Sequence, residues 1–82
     1  GLSGTYSDET GMMNYRFESG GKVYMEMMGM ETELKYEVDG KKVKIQNPQG
    51  GNMIFTLLDD GSIQGLMGAK LYKDGKNKKT KK

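Results

Sequence analysis

The chain has 82 residues and contains no cysteine, no histidine and no tryptophan. The lack of cysteine excludes disulfide bonds and thiolate metal sites, and the lack of histidine removes the commonest general base and metal ligand in proteins. The serine and threonine hydroxyls consequently have no histidine that could activate them as nucleophiles. We therefore predict that the protein is not an enzyme and that it uses no cofactor.

The chain is also poor in proline and in long apolar segments. A single proline, Pro48, stands against 13 glycines, and this balance favours short strands with tight turns over long helices. No apolar run approaches the roughly 18 residues that a membrane-spanning helix needs, and no signal-peptide segment is recognisable. With 34% hydrophobic residues, the sequence predicts one small folded domain with a modest core.

Positive charge is concentrated at the C-terminus. Residues 1–72 hold seven Lys or Arg against ten Asp or Glu, whereas residues 73–82 hold six Lys and one Asp. Because residues 74–82 carry no apolar side chain, we predict a folded domain over residues 1–73 and a disordered lysine-rich tail over residues 74–82. Nucleic acid is not the expected partner, since no aromatic ring stands between the lysines for bases to stack on. An anionic surface is the alternative partner of this tail, through Lys76, Lys78, Lys79, Lys81 and Lys82.

Alternating apolar residues, which are typical of half-buried strands, dominate the rest of the sequence. Three segments share one arrangement, in which an aromatic residue opens a strand, a glycine turn follows, and a β-branched residue opens the next strand. These segments run from Tyr15 through Gly21 to Val23, from Tyr36 through Gly40 to Val43, and from Phe55 through Gly61 to Ile63. Repeated hairpins of this kind predict an antiparallel up-and-down meander.

The predicted fold is all-β, with about seven to eight short strands in a meander that closes into a small barrel or half-barrel. Closure is expected because no helix is available to cover the apolar face of the sheet. The dipeptide Asp39-Gly40 predicts a type I′ turn, and Gly29 predicts a bend within a strand. The side chains predicted to face the interior are Tyr15, Phe17, Met25, Met27, Leu34, Tyr36, Val43, Ile45, Phe55 and Leu57.

The opening Leu2-Ser3-Gly4-Thr5-Tyr6 and the hairpin over residues 36–45 resemble small lipocalin-like domains of bacterial envelope proteins and lipoproteins. The first is similar to the Gly-x-aromatic opening of such barrels, and the second combines an aromatic strand, an Asp-Gly turn and a valine strand. The resemblance covers residues 2–73. It implies a lipocalin-like β-barrel of a cell-envelope, periplasmic or secreted protein. Because the sequence begins at Gly1 and not with methionine, we expect the chain to be a fragment or the mature form of a longer precursor.

The resemblance and the apolar pattern together favour a non-catalytic binding or accessory domain, which we expect to be a monomer. A small apolar ligand or a protein partner would contact the predicted interior or the methionine-rich segment beside it. A barrel of eight short strands is barely wide enough for its own side chains, so a filled interior is the alternative to a ligand cavity. The candidate binding residues are Tyr15, Phe17, Met25, Met27, Met28, Met30, Tyr36 and Phe55.

The chain contains eight methionines, and six of them fall in two groups, at positions 12–13 and 25–30. If these two segments pair as a hairpin, the groups lie together at its open end. Thioethers are soft ligands that select Cu(I), so a Cu(I)-handling protein is the alternative function. The same side chains could instead fill the core or form an apolar patch for a partner. The candidate metal ligands are Met12, Met13, Met25, Met27 and Met30.

Overall fold

The computed structural model describes residues 2–74 and shows an all-β fold of eight antiparallel strands. The strands follow one another in chain order around a closed barrel, which confirms the predicted meander. Within the described residues the only helical element is a 3₁₀ turn at Leu66–Gly68. The strands are β1 (Gly4–Ser7), β2 (Met13–Glu18), β3 (Lys22–Met27), β4 (Met30–Asp39), β5 (Lys42–Gln46), β6 (Asn52–Leu57), β7 (Ile63–Gln64) and β8 (Lys70–Lys73).

The barrel closes where β1 pairs with β8, with Tyr6 opposite Lys73. The longest strand, β4, changes its partner along its length. Residues 30–35 of β4 pair with β3, whereas residues 36–39 pair with β5. The tip of the β3–β4 hairpin therefore extends beyond the neighbouring hairpin formed by β5 and β6.

Side chains from all eight strands fill the interior. Phe17 stands edge-on to Tyr6 and to Tyr36, with ring centroids 5.6 and 5.0 Å apart. Edge-to-face pairs of this kind stabilise a core beyond the area that they bury. Seven of the ten side chains predicted to face inward are buried, namely Tyr15, Phe17, Leu34, Tyr36, Val43, Ile45 and Phe55.

Three of the residues predicted to face inward are not fully buried. Met25 and Leu57 are half-buried, and Met27 is 40% exposed. All three keep the predicted alternation and lie at or near strand ends. Four further core residues come mainly from strands too short to show a clear period, and they are Tyr6, Val23, Ile63 and Leu71.

The predicted turn after β4 is correct in position and wrong in type. Asp39 pairs with Lys42, so the loop consists of Gly40 and Lys41, and of these two only Gly40 has a positive φ, of 64°. Glycine at the first loop position is the pattern of a type II′ turn, whereas type I′ requires positive φ at both positions. Gly40 thus occupies the first position of the two-residue loop, whereas the predicted Asp39-Gly40 turn would place it at the second.

The described chain ends at Asp74, just after β8. The rest of the predicted lysine-rich tail, residues 75–82, lies outside the described residues. Within residues 2–74, no helix is long and apolar enough to cross a membrane.

Candidate functional site: the methionine end of the barrel

Because successive strands run in opposite directions, the connections between them alternate between the two ends of the barrel. We call one end the methionine end; it carries the connections at residues 8–12, 28–29, 47–51 and 65–69. We call the other the closed end; it carries the connections at residues 19–21, 40–41 and 58–62 and also Leu2.

All eight methionines of the chain lie in the connections of the methionine end or within three residues of them. The connections of the closed end contain no methionine. Met53 and Met67, which stand apart from the two groups in the sequence, join the others here because β6 begins and β7 ends on this side of the barrel. The fold thus collects on one end a residue type that is spread over most of the chain.

Most of the exposed apolar surface belongs to this end. Within the described region, eight large apolar side chains are exposed, and six of them lie here. The other two are Val38, near the closed end, and Ile54, which lies three residues from the connection at 47–51 but on the outward face of β6. A cluster of exposed apolar side chains is typical of a binding surface. The six are Met67 (101% exposed), Met28 (81%), Met30 (73%), Met12 (60%), Leu66 (47%) and Met27 (40%).

Met28 and Met67 hold a backbone conformation that methionine rarely adopts, with φ of 55° and 57°. Met28 and Gly29 form the two-residue loop between β3 and β4, and positive φ at both makes this a type I′ turn. The prediction that Gly29 bends a strand is therefore wrong, because Gly29 is a turn residue. The left-handed region costs a side chain about 1–2 kcal/mol, and neither methionine offsets this cost by burial.

Three of the predicted metal ligands lie side by side. Met13 of β2 pairs with Met27 of β3, and Met27 in turn pairs with Met30 of β4. Residues directly opposite on adjacent antiparallel strands share a face, with Cβ atoms about 4.5–5.5 Å apart. Met25 lies on the same face, two residues further along β3, whereas Met12 lies in the loop before β2. The structure therefore groups four of the five candidates on one face and separates Met12 from them.

A small apolar pocket opens between the connections at 8–12 and 65–69. Its volume is about 70 Å³, and its lining includes Met13, Tyr15, Phe55 and Leu66. Pockets for small molecules usually have volumes of about 300–1,000 Å³, so this one accommodates only the tip of a single apolar side chain. Burial, followed by the nearby carboxylate of Asp8, raises the pKa of Tyr15, which lines this pocket.

The charged residues of the methionine end are mainly acidic. Its four connections contain Asp8 and Glu9 but no lysine or arginine. Glu26 and Glu31 add two carboxylates beside the β3–β4 turn, and Glu31 forms an ion pair of 2.9 Å with Arg16. Lys70, at the start of β8, instead pairs with Asp60 in a connection of the closed end, at 3.0 Å. The exposed methionines are thus bordered by negative charge.

The residues predicted to bind a ligand separate into two sets. Tyr15, Phe17, Tyr36 and Phe55 are buried in the core, where Tyr15 and Phe55 stack edge-on with centroids 5.3 Å apart. Met25, Met27, Met28 and Met30 instead lie together on the β3–β4 hairpin. The aromatic set fills the interior, and the structure does not bring it together with the methionine set.

The closed end is held by polar contacts around the core. The hydroxyl of Tyr36 donates a hydrogen bond to the carbonyl of Glu18 at 2.8 Å and accepts one from the N–H of Leu2 at 3.1 Å. Ser62 is buried, and its hydroxyl and N–H both donate to the carboxylate of Asp60. These two hydrogen bonds, followed by Lys70, hold the pKa of Asp60 well below its usual value. The closed end is therefore a structural cap.

Sequence reasoning missed three members of the methionine end. Met53, Leu66 and Met67 were not candidates, because all three lie outside the two groups of methionines in the sequence. The signal that could have found them is the alternation of connections between the two ends of an up-and-down meander. Once eight strands are predicted, every second connection belongs to the same end, and the one at residues 65–69 then joins the one at residues 28–29.

Comparison of this chain with protein-family models, with curated proteins and with solved structures finds no match. Within residues 2–74, no group of three or more His, Cys, Asp or Glu side chains is placed to hold a metal ion.

Proposed function

We propose that the protein is a non-catalytic binding domain whose methionine end captures an apolar, positively charged peptide segment of a protein partner. The observation that carries this proposal is the collection of all eight methionines at one end of a barrel whose interior is already filled. Five of these side chains are exposed, and two stand on turn residues in the left-handed region. Folding alone explains neither feature.

The chemistry of methionine suits the capture of a peptide. Its side chain has three rotatable bonds and a polarizable thioether, so a surface of several methionines adapts its shape to different apolar side chains. The pocket beside Leu66, lined also by Phe55, gives one apolar side chain of the partner a fixed position. The exposed methionines would adapt to the shape of the partner, and the pocket would hold one of its side chains in place.

The charge of the partner follows from the carboxylates around the methionines. Asp8, Glu9 and Glu26 border the apolar surface, and Lys70, next to the connection at residues 65–69, is paired with Asp60. Complementary charge speeds association and disfavours partners of like charge. A segment in which lysine or arginine flanks apolar residues is therefore expected to bind, and an acidic segment of equal hydrophobicity is not.

The test uses the full chain with ¹³C-labelled methionine methyl groups and two synthetic amphipathic peptides. One peptide contains leucine and lysine, and the other has glutamate in place of every lysine. We expect saturable shifts of the methyl signals of Met28, Met30 and Met67 with the lysine peptide, weakened by added salt, and no saturable shifts with the glutamate peptide. Equal binding of both peptides, or shifts confined to the half-buried Met25 and Met53, would contradict the proposal.

A matched pair of variants locates the surface. Met30→Ser combined with Met67→Ser removes two exposed methionines and should weaken binding of the lysine peptide at least about tenfold, since each buried apolar side chain contributes about 1.5–3 kcal/mol. Ile54→Ser removes an exposed apolar residue from the outer wall and should leave the affinity unchanged. Equal losses in the two variants would show that the peptide recognises general hydrophobicity and not this end.

The lipocalin-like resemblance and the envelope, periplasmic or secreted location stay predictions from the sequence. So does the binding of an anionic surface by Lys76, Lys78, Lys79, Lys81 and Lys82, which lie outside the described residues. The polypeptide reaches Asp74 at the closed end, after β8. An anionic partner of those lysines is tested separately from a peptide at the methionine end.

A further inference from the structure

We infer that the row formed by Met13, Met27 and Met30 is a binding site for one soft monovalent metal ion, Cu(I), held by three thioether sulfurs. This site goes beyond peptide capture, because it depends on the sulfur atoms and not on the apolar character of the side chains. It stands on the register of three neighbouring strands.

The register places the three ligands correctly. Met27 is directly opposite Met13 on one side and directly opposite Met30 on the other, so the three residues form a line across β2, β3 and β4 on one face. Neighbouring Cβ atoms in such a line are about 4.5–5.5 Å apart. The three rotatable bonds of each methionine allow the sulfurs to turn toward a common ion beside Met27.

The surroundings favour a soft cation. Thioethers are soft ligands that select Cu(I) over the harder divalent ions. Met27 and Met30 are exposed and Met13 is half-buried, so an ion can reach all three from solvent. The carboxylate of Asp8 accepts a hydrogen bond from the N–H of Met13 at 3.3 Å, so it lies beside the row and favours a positive charge there.

The backbone turn gives the row a fixed geometry. Met27 and Met30 flank the two-residue loop of Met28 and Gly29, and a two-residue hairpin fixes the register of its strands. Only the side chains therefore need to rearrange when an ion binds. Met25, on the same face of β3, is the available fourth ligand.

The experiment titrates the full chain with Ag(I), a redox-inert analogue of Cu(I), in chloride-free buffer, and follows the methionine methyl signals. We expect saturation at one ion per chain, with the methyl signals of Met13, Met27 and Met30 shifting together. Anaerobic competition with a coloured Cu(I) chelator then gives the Cu(I) affinity, expected to be tighter than about 1 µM. Shifts at Met12, Met28 and Met67 instead of the row, or no saturable shift, would overturn the site.

Variants separate this site from the peptide surface. Met27→Leu removes the central sulfur but keeps an apolar side chain of similar volume, so it should weaken Cu(I) binding at least about tenfold. Met67→Leu, outside the row, is the matched control and should keep the affinity for Cu(I). If Met27→Leu keeps that affinity as well, the row is not the site, whatever the peptide experiment shows.

Discussion

The closed end and the methionine end belong to the same eight strands and the same pattern of alternation, yet one of them buries its apolar residues and the other presents them. At the closed end, Leu2 packs against the core, and the hydroxyl of Tyr36 ties it to Glu18. At the methionine end, Met27 and Met30 continue the inward alternation of their strands and are nevertheless exposed. Alternation assigns a side chain to a face, and coverage by other strands decides whether that face is buried.

The two ends also differ in which residues occupy the turn positions with positive φ. At the closed end, the hairpin positions with positive φ are all glycine, at Gly21, Gly40 and Gly61. The methionine end also uses glycines, but it places Met28 and Met67 at two such positions. Glycine provides this conformation at the lowest cost, so a methionine there sacrifices stability for an exposed thioether. Under the proposed function, the closed end is optimised for folding and the methionine end for contact.

The largest effect should come from the interior that both ends share. Phe17→Ala removes a fully buried ring that contacts Tyr6 and Tyr36, so it should lower the free energy of unfolding by about 3–5 kcal/mol. Met30→Ala, at the exposed end, should change it by less than about 0.5 kcal/mol. Denaturant unfolding of both variants checks the contrast, and a loss above about 2 kcal/mol for Met30→Ala would show that the methionine end is part of the core.

The sequence predicts the fold better than it predicts the site, and the reason is physical. The alternation around Tyr15, Tyr36 and Phe55 reports local burial, so strands and most of the core follow from it. Exposure at a strand end depends on how far neighbouring strands extend, which no local pattern contains. Met27 illustrates this limit, because the change of partner along β4 leaves its side of the hairpin uncovered.

The alignment of the metal candidates was predictable only in part. The two groups of methionines predict that residues 12–13 and 25–30 meet at the end of a hairpin, and the pairing of Met13 with Met27 is consistent with this. Met30 joins the row only because a two-residue turn follows Met27. The pattern placed a bend at Gly29, and one residue more or less in that loop would move Met30 to the other face.

A smaller effect should appear at the cap of the closed end. Tyr36→Phe keeps the ring beside Phe17 but removes the hydroxyl that bonds to Glu18 and Leu2, and we expect a loss of about 1 kcal/mol. Tyr24→Phe, half-buried on the outer wall, is the matched control and should cost less. Thermal and denaturant unfolding measure both. Equal values for the two variants would mean that the hydroxyl of Tyr36 does not hold this end closed.

The smallest expected effect has the opposite sign and tests the comparison most directly. Met28→Asn creates an Asn-Gly pair in the type I′ turn, the dipeptide that this turn prefers, and asparagine tolerates the left-handed region. We expect the free energy of unfolding to rise by about 0.5–1 kcal/mol while affinity for the lysine peptide falls. Met30→Asn, next to the same turn in an extended strand, should weaken binding of the lysine peptide without raising the free energy of unfolding.

A variant Met28→Asn that is more stable and binds the peptide as well as the natural chain would show that the exposed thioether at position 28 serves no contact. A variant that is less stable would show that Met28 packs against the barrel in a way that its exposure does not reveal. The expected result is a gain in stability together with a loss of binding. This result distinguishes an end shaped for contact from one shaped for folding, because no structural role of Met28 produces both changes together.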